Sequence, residues 1–105
     1  MATLYLFGSR ATGEYTLDSD WDVFIDAEQD DEEAGDLITT LEPYLLENGG
    51  KLDLFELLGD VLFAVGDEHG ERRVMLCKWG WRALQQEAEK IDIDTLLKRM
   101  ESSYV

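Results

Sequence analysis

The chain has 105 residues, of which 45% are apolar and 10% aromatic, which is typical of one globular domain and excludes a disordered chain. Its 24 acidic and 9 basic residues give a formal net charge of -15, which repels nucleic-acid phosphates and argues against direct nucleic-acid binding. No apolar run reaches about 18 residues, no signal-peptide pattern is present, and the only cysteine is Cys77, so we expect a cytoplasmic protein without a membrane span.

The first half of the chain predicts two strands, a helix and a third strand, at residues 3–7, 21–25, 37–46 and 51–57. Alternation along the second strand places Trp21 on one face and Asp22 on the other, with Asp20 expected beside Asp22. Pro43 lies inside the helical pattern and is expected to kink it or to begin a second short helix.

The second half predicts a hairpin and two short helices, at residues 61–65, 73–76, 79–90 and 95–102. Asp94 is a candidate N-cap for the last helix. Strands followed by helices, with no repeat or linker, favour a single α+β domain over residues 1–105.

Three aspartates are candidate metal ligands. Asp20 and Asp22 are two residues apart on a predicted strand, so they share a face and lie about 6.6 Å apart along it. Carboxylates so placed can converge on divalent ions, and Mg²⁺ prefers carboxylate oxygens together with substrate phosphates. Asp53, in KLDLF, lies in a predicted strand, where aspartate is disfavoured unless it binds something. A solvated strand face is the alternative explanation for the pair.

The turn after the first strand is a candidate phosphate site. Gly8 allows the backbone to approach a ligand closely, and amide groups of such a turn can surround phosphate oxygens. Ser9 adds a hydroxyl group, and Arg10 adds a guanidinium that suits phosphate. A surface ion pair with Glu14 is the alternative for Arg10.

The stretch GSRATGEYTLDSDWD resembles the minimal nucleotidyltransferase (MNT) domains of the DNA polymerase beta superfamily. It has their Gly-Ser, ten residues and Asp-x-Asp, flanked by apolar strands. The resemblance covers a motif-bearing core of residues 3–58, and residues 59–105, the predicted hairpin and helices, match no motif. It implies a polymerase beta-like fold, a small mixed β-sheet backed by helices.

The resemblance also implies a chemistry. Gly8 and Ser9 would hold the triphosphate of ATP as substrate, Asp20 and Asp22 would bind two Mg²⁺ ions, and Asp53 would complete the site. The reaction would move AMP to a hydroxyl group. Stand-alone MNT proteins are commonly antitoxins that pair with a HEPN-domain ribonuclease toxin, and some adenylylate a tyrosine of that toxin. The implied partners are therefore a nucleoside triphosphate and a HEPN-type toxin.

The strong negative charge supports an alternative function. A domain of this kind could be catalytically inactive and bind a basic protein partner through its acidic surface. It could also mimic nucleic acid and so inhibit a nucleic-acid-binding protein. Solubility alone accounts equally well for the charge.

Overall fold

The structure is a computed structural model that describes residues 1–28, 31–59, 61–65, 73–75, 84 and 86–103. The strands are β1 (Thr3–Phe7), β2 (Trp21–Asp26), β3 (Leu52–Leu58), β4 (Val61–Ala64), β5 (Arg73–Met75) and β6 (Glu89–Ile91). The α-helices are α1 (Ser9–Thr12), α2 (Glu32–Leu41) and α3 (Ile93–Ser103). This arrangement confirms the predicted α+β class.

The described strands form one mixed sheet in the order β5-β4-β3-β2-β1-β6. β2 and β3 pair in parallel, and the connection between them contains α2; the other neighbouring pairs are antiparallel. The sheet is therefore mixed, as expected. None of the helices within the described residues is long and apolar enough to cross a membrane.

Side chains alternate across the central strands and form two apolar clusters. One face of β1, β2 and β3 packs against the helices, and its cluster includes Leu6, Val23, Leu54, Leu96 and Met100, none more than 1% exposed. The opposite face carries a smaller cluster that includes Phe24, Phe55, Leu57, Leu62 and Leu84. The period of two that predicted opposite faces for Trp21 and Asp22 is thus confirmed.

The helix predicted over 37–46 ends earlier than its apolar spacing suggested. Helix α2 begins after Asp31, whose carboxylate accepts a hydrogen bond from the Glu33 amide at 2.8 Å, and it ends at Leu41. Two 3₁₀ turns, Glu42–Tyr44 and Leu46–Asn48, follow. Proline at the start of the first turn is compatible with a new helical turn but not with continuation of the preceding one.

Two predictions for the C-terminal segment need correction. The helix predicted over 79–90 is wrong at its end, because Glu89–Ile91 pairs with β1 as β6. Most of that predicted range lies outside the described residues, and so does the turn of the predicted hairpin, at residues 66–70. The cap of the last helix is Asp92 rather than Asp94. The Asp92 carboxylate accepts a hydrogen bond from the Thr95 amide at 3.0 Å.

Candidate functional site

The pairing of β2 with β3 places Asp22 directly opposite Asp53. Partners on adjacent parallel strands project to the same side, so both carboxylates lie on the face that also carries Phe24 and Phe55. Both aspartates are half-buried. At the start of the two strands, the Trp21 amide donates to the Lys51 carbonyl oxygen at 2.7 Å. Two predicted site residues are thereby brought together from distant parts of the sequence.

Gly8 brings the first turn against this pair. β1 runs antiparallel to β2 and ends with Phe7 opposite Asp22, so the next residue, Gly8, lies beside the Asp22 carboxylate. Gly8 has φ +71° and ψ -155°, a conformation available essentially only to glycine. A Cβ atom at this position would overlap Asp22 Oδ2. Glycine is therefore required both for the backbone conformation and for the close approach to Asp22.

The other half of the turn is short and ordered by backbone hydrogen bonds. Ser9 is half-buried and begins α1, a single turn of four residues. Its carbonyl oxygen accepts a hydrogen bond from the Gly13 amide at 3.0 Å. Ser9 thus lies next to Gly8, at the same edge of the site as Asp22.

Asp20 is the most peripheral of the three aspartates. It is exposed and precedes β2, so it is not part of the strand face on which it was expected. Its negative charge nevertheless acts on Asp22. Burial, which is the largest cause, and the negative charges of Asp53 and Asp20 together raise the pKa of Asp22 to about 6. The three carboxylates therefore share one electrostatic environment that disfavours the ionised form of Asp22.

The donor set of this site fits a hard divalent cation. All three side chains offer carboxylate oxygens, and a cation beside them would offset the burial and repulsion that raise the Asp22 pKa. Across the described part of the chain, no group of three or more His, Cys, Asp or Glu side chains is gathered closely enough to hold a metal ion. Asp22 and Asp53 are thus the paired centre of the site, and Asp20 acts on it from the periphery.

Arg10 packs against aromatic rings, which differs from both the phosphate contact and the surface ion pair with Glu14 that the sequence suggested. Its side chain is buried, and its guanidinium carbon lies 4.4 Å from the centre of the Tyr15 ring and 4.5 Å from that of Trp21. Its Nη2 donates to the Ser19 carbonyl oxygen at 3.0 Å. Because Trp21 and Asp22 project to opposite faces, the guanidinium lies on the helix-covered side of the sheet. We therefore leave Arg10 out of the nucleotide site proposed below.

The pairing of Arg10 with Tyr15 and Trp21 was missed by sequence reasoning. The rings lie in a loop and at the start of a strand, so no regular periodicity relates them to Arg10. The one available signal was two aromatic residues close in sequence to an arginine, a combination that permits cation–π contacts.

Comparison with known proteins gives the family. No curated protein and no solved structure matches the chain. A family model described as a nucleotidyltransferase domain matches residues 1–98, which extends well beyond the motif-bearing core at 3–58. This match is consistent with the polymerase beta superfamily and supports nucleotidyl transfer as the general activity. The chain therefore belongs to the nucleotidyltransferase domain family.

Proposed function

We propose that this protein transfers AMP from ATP to a hydroxyl group on an acceptor, at the sheet face that carries Asp22 and Asp53. The observation that supports this proposal is the parallel register of β2 and β3, which sets the two carboxylates side by side with the Gly8 turn against one of them. An acidic pair beside a glycine turn suits the binding of a cation and a polyphosphate together.

Each residue of the site has a proposed role. Gly8 lets the backbone approach the triphosphate, and the Ser9 hydroxyl group donates to a phosphate oxygen. Asp20, Asp22 and Asp53 would hold Mg²⁺, with two ions as the expected number. Bound Mg²⁺ would neutralise negative charge on the triphosphate and stabilise the attacking and leaving oxygens. Asp53 accepts the proton of the acceptor hydroxyl group.

The transfer balances without a further reactant. The acceptor oxygen forms a bond to the α-phosphorus of ATP, and the bond from that phosphorus to the bridging oxygen breaks. Pyrophosphate leaves with the electron pair of the broken bond. The proton of the hydroxyl group passes to Asp53 and then to solvent.

The test is transfer of label from ATP labelled at the α-phosphorus, with Mg²⁺ and the candidate acceptor present. We expect Asp22→Asn and Asp53→Asn to lower transfer by at least about a hundredfold, because each removes a charge in contact with the reacting groups. Asp26→Asn is the matched control, since Asp26 lies on the same strand but is exposed at its end. Equal transfer by all four proteins would refute the assignment of the site.

We further propose that the acceptor is a tyrosine of a cognate HEPN-type toxin in the cytoplasm and that the protein is its antitoxin. The support is the family match together with the motif that resembles MNT domains. Co-expression with the protein encoded by the adjacent gene tests this role. Loss of growth rescue in Asp22→Asn, with rescue retained in Asp26→Asn, is the expected result. Rescue by both variants would contradict neutralisation by catalysis.

A second candidate function is supported by the charge. With 24 acidic against 9 basic residues, the protein could inhibit a basic partner by binding alone, as a protein ligand or as a mimic of nucleic acid. This function predicts that Asp22→Asn retains full inhibition and that binding weakens steeply with salt. Competition by added nucleic acid would identify the mimic.

A further inference from the structure

The helix-covered side of the sheet carries an open pocket of about 420 Å³ that is separate from the aspartate face. It lies between α3 and the segment that joins α1 to β2. The residues that matter for its chemistry are Arg10, Tyr15, Leu17, Trp21, Lys98 and Arg99.

The pocket concentrates positive charge in a very acidic protein. Three of the nine basic residues line it, and none of the described residues that line it is acidic. Arg99 forms an ion pair with Glu89, at 3.2 Å between its Nη2 and Glu89 Oε1. Arg10 and Lys98 therefore supply the charge on which an anionic ligand would depend. Lys98 is exposed, so its ammonium group can move to meet a ligand.

Two of the residues that line the pocket, Arg10 and Trp21, carry buried hydrogen-bond donors. Arg10 is 7% exposed and Trp21 is 5% exposed. Within the described chain, neither Arg10 Nε nor Trp21 Nε1 has a hydrogen-bond partner. Buried donors normally find an acceptor, so two such nitrogens in neighbouring side chains indicate a place for acceptor atoms.

The walls of the pocket limit the kind of anion. Tyr15 and Leu17 are unusually exposed for large apolar side chains, at 49% and 77%, and they offer apolar contact beside the charges. The net charge of -15 repels multiply charged anions more strongly than singly charged ones. A planar carboxylate also suits the planar fork of a guanidinium.

We propose that this pocket binds a monoanionic carboxylate carried by a small molecule with an apolar part. The carboxylate accepts from Arg10 and Trp21 and pairs with Lys98, while its apolar part lies against Tyr15 and Leu17. Slight displacement of these two exposed side chains gives the ligand access to the buried nitrogens. The proposal is independent of nucleotidyl transfer, because the pocket lies on the opposite face from Asp22.

The test is a titration of the intact protein with sodium benzoate, followed by the NMR signals of the Arg10 Nε–H and Trp21 Nε1–H groups. Sodium chloride at matched ionic strength and inorganic phosphate are run as parallel titrations. We expect saturable shifts of both signals with benzoate, and no saturable shift with chloride. Benzoate shifts that merely follow those of chloride would overturn the proposal. Tighter binding of phosphate than of benzoate would overturn the choice of a monoanionic carboxylate.

A pair of lysine variants separates the pocket from general charge attraction. Lys98→Gln should weaken benzoate binding about fivefold, as expected for loss of one exposed charge contact. Lys90→Gln removes an exposed lysine that does not line this pocket and should leave the affinity unchanged. Equal weakening by both variants would show attraction to overall charge and refute the site. Neither variant alters the core, and no nucleotide is present, so the result is independent of the proposed transferase activity.

Discussion

The ionised carboxylate of Asp22 destabilises the folded protein at neutral pH, and we predict that Asp22→Asn raises the free energy of unfolding when no metal is present. The Asp22 pKa is raised from 3.8 to about 6, chiefly by burial. Such a shift corresponds to about 3 kcal/mol for a fully buried group. Because Asp22 is only half-buried, solvent screening reduces the expected gain to about 1–2 kcal/mol at pH 7.5.

The pH dependence gives the prediction its sign. Since the folded state raises the Asp22 pKa, the stability contributed by the protonated carboxyl group is complete below pH 3.8 and is lost as the pH rises through about 6. The asparagine variant lacks this loss. The gain in free energy of unfolding of Asp22→Asn over the natural protein should therefore be greatest above pH 7 and about half as large at pH 5.

The difference in free energy of unfolding between the variant and the natural protein is measured by urea unfolding at pH 7.5 and pH 5. A chelator is present, and unfolding is monitored by tryptophan fluorescence. Asp26→Asn is again the control, since it makes the same chemical change at an exposed position of the same strand. A variant at position 22 that is no more stable than the natural protein at pH 7.5 would refute the reasoning. A gain of equal size at both pH values would also refute it, because the gain would then not come from ionisation.

Three further predictions concern stability in urea. Gly8→Ala should lower the free energy of unfolding by more than about 2 kcal/mol, because the alanine would combine a positive φ with overlap against the Asp22 carboxylate. Gly13→Ala, also at positive φ but with open space around it, should lower the free energy of unfolding by about 1 kcal/mol. Equal costs would contradict the close approach. Asp92→Ala should lower the free energy of unfolding by about 1 kcal/mol because it removes a helix cap, and Asp94→Ala should lower it by less than about 0.5 kcal/mol. A larger loss for Asp94→Ala than for Asp92→Ala would indicate that Asp94 is the cap, as the sequence predicted. Gly35→Ala, in α2 with nothing near its Cβ position, should raise the free energy of unfolding by about 0.5–1 kcal/mol. A less stable variant would contradict the open space around this position.

The central strands and the faces of their residues could be predicted from sequence because their signal is local. Alternation along β2 separates Trp21 from Asp22 without knowledge of any neighbouring strand. The same alternation isolates Asp53 among leucines on β3. That the two aspartates then meet depends on the parallel register, which local patterns do not encode. The motif's resemblance to MNT domains implied only that Asp53 completes the site.

Features that depend on distant residues could not be predicted in this way. Glu89–Ile91 continues a helix-like pattern, yet it becomes β6 because β1 offers an unpaired edge to a segment more than 80 residues away in sequence. Asp92 and Asp94 are both suitable caps by residue type, and the choice between them depends on where α3 begins. Arg10 resembles a phosphate ligand by its position, but burial beside two rings determines its actual contacts.

The placement of Arg10 also explains how the glycine turn is positioned beside the acidic pair. Trp21 and Asp22 are consecutive on β2, so one side chain lies on each side of the sheet. The turn contacts both, since Gly8 lies against the carboxylate while Arg10, two residues later, packs over the Trp21 ring. β2 therefore holds the turn from both faces. Arg10, buried on the other side of the sheet, can in this way determine the distance between the glycine turn and the Asp22 carboxylate.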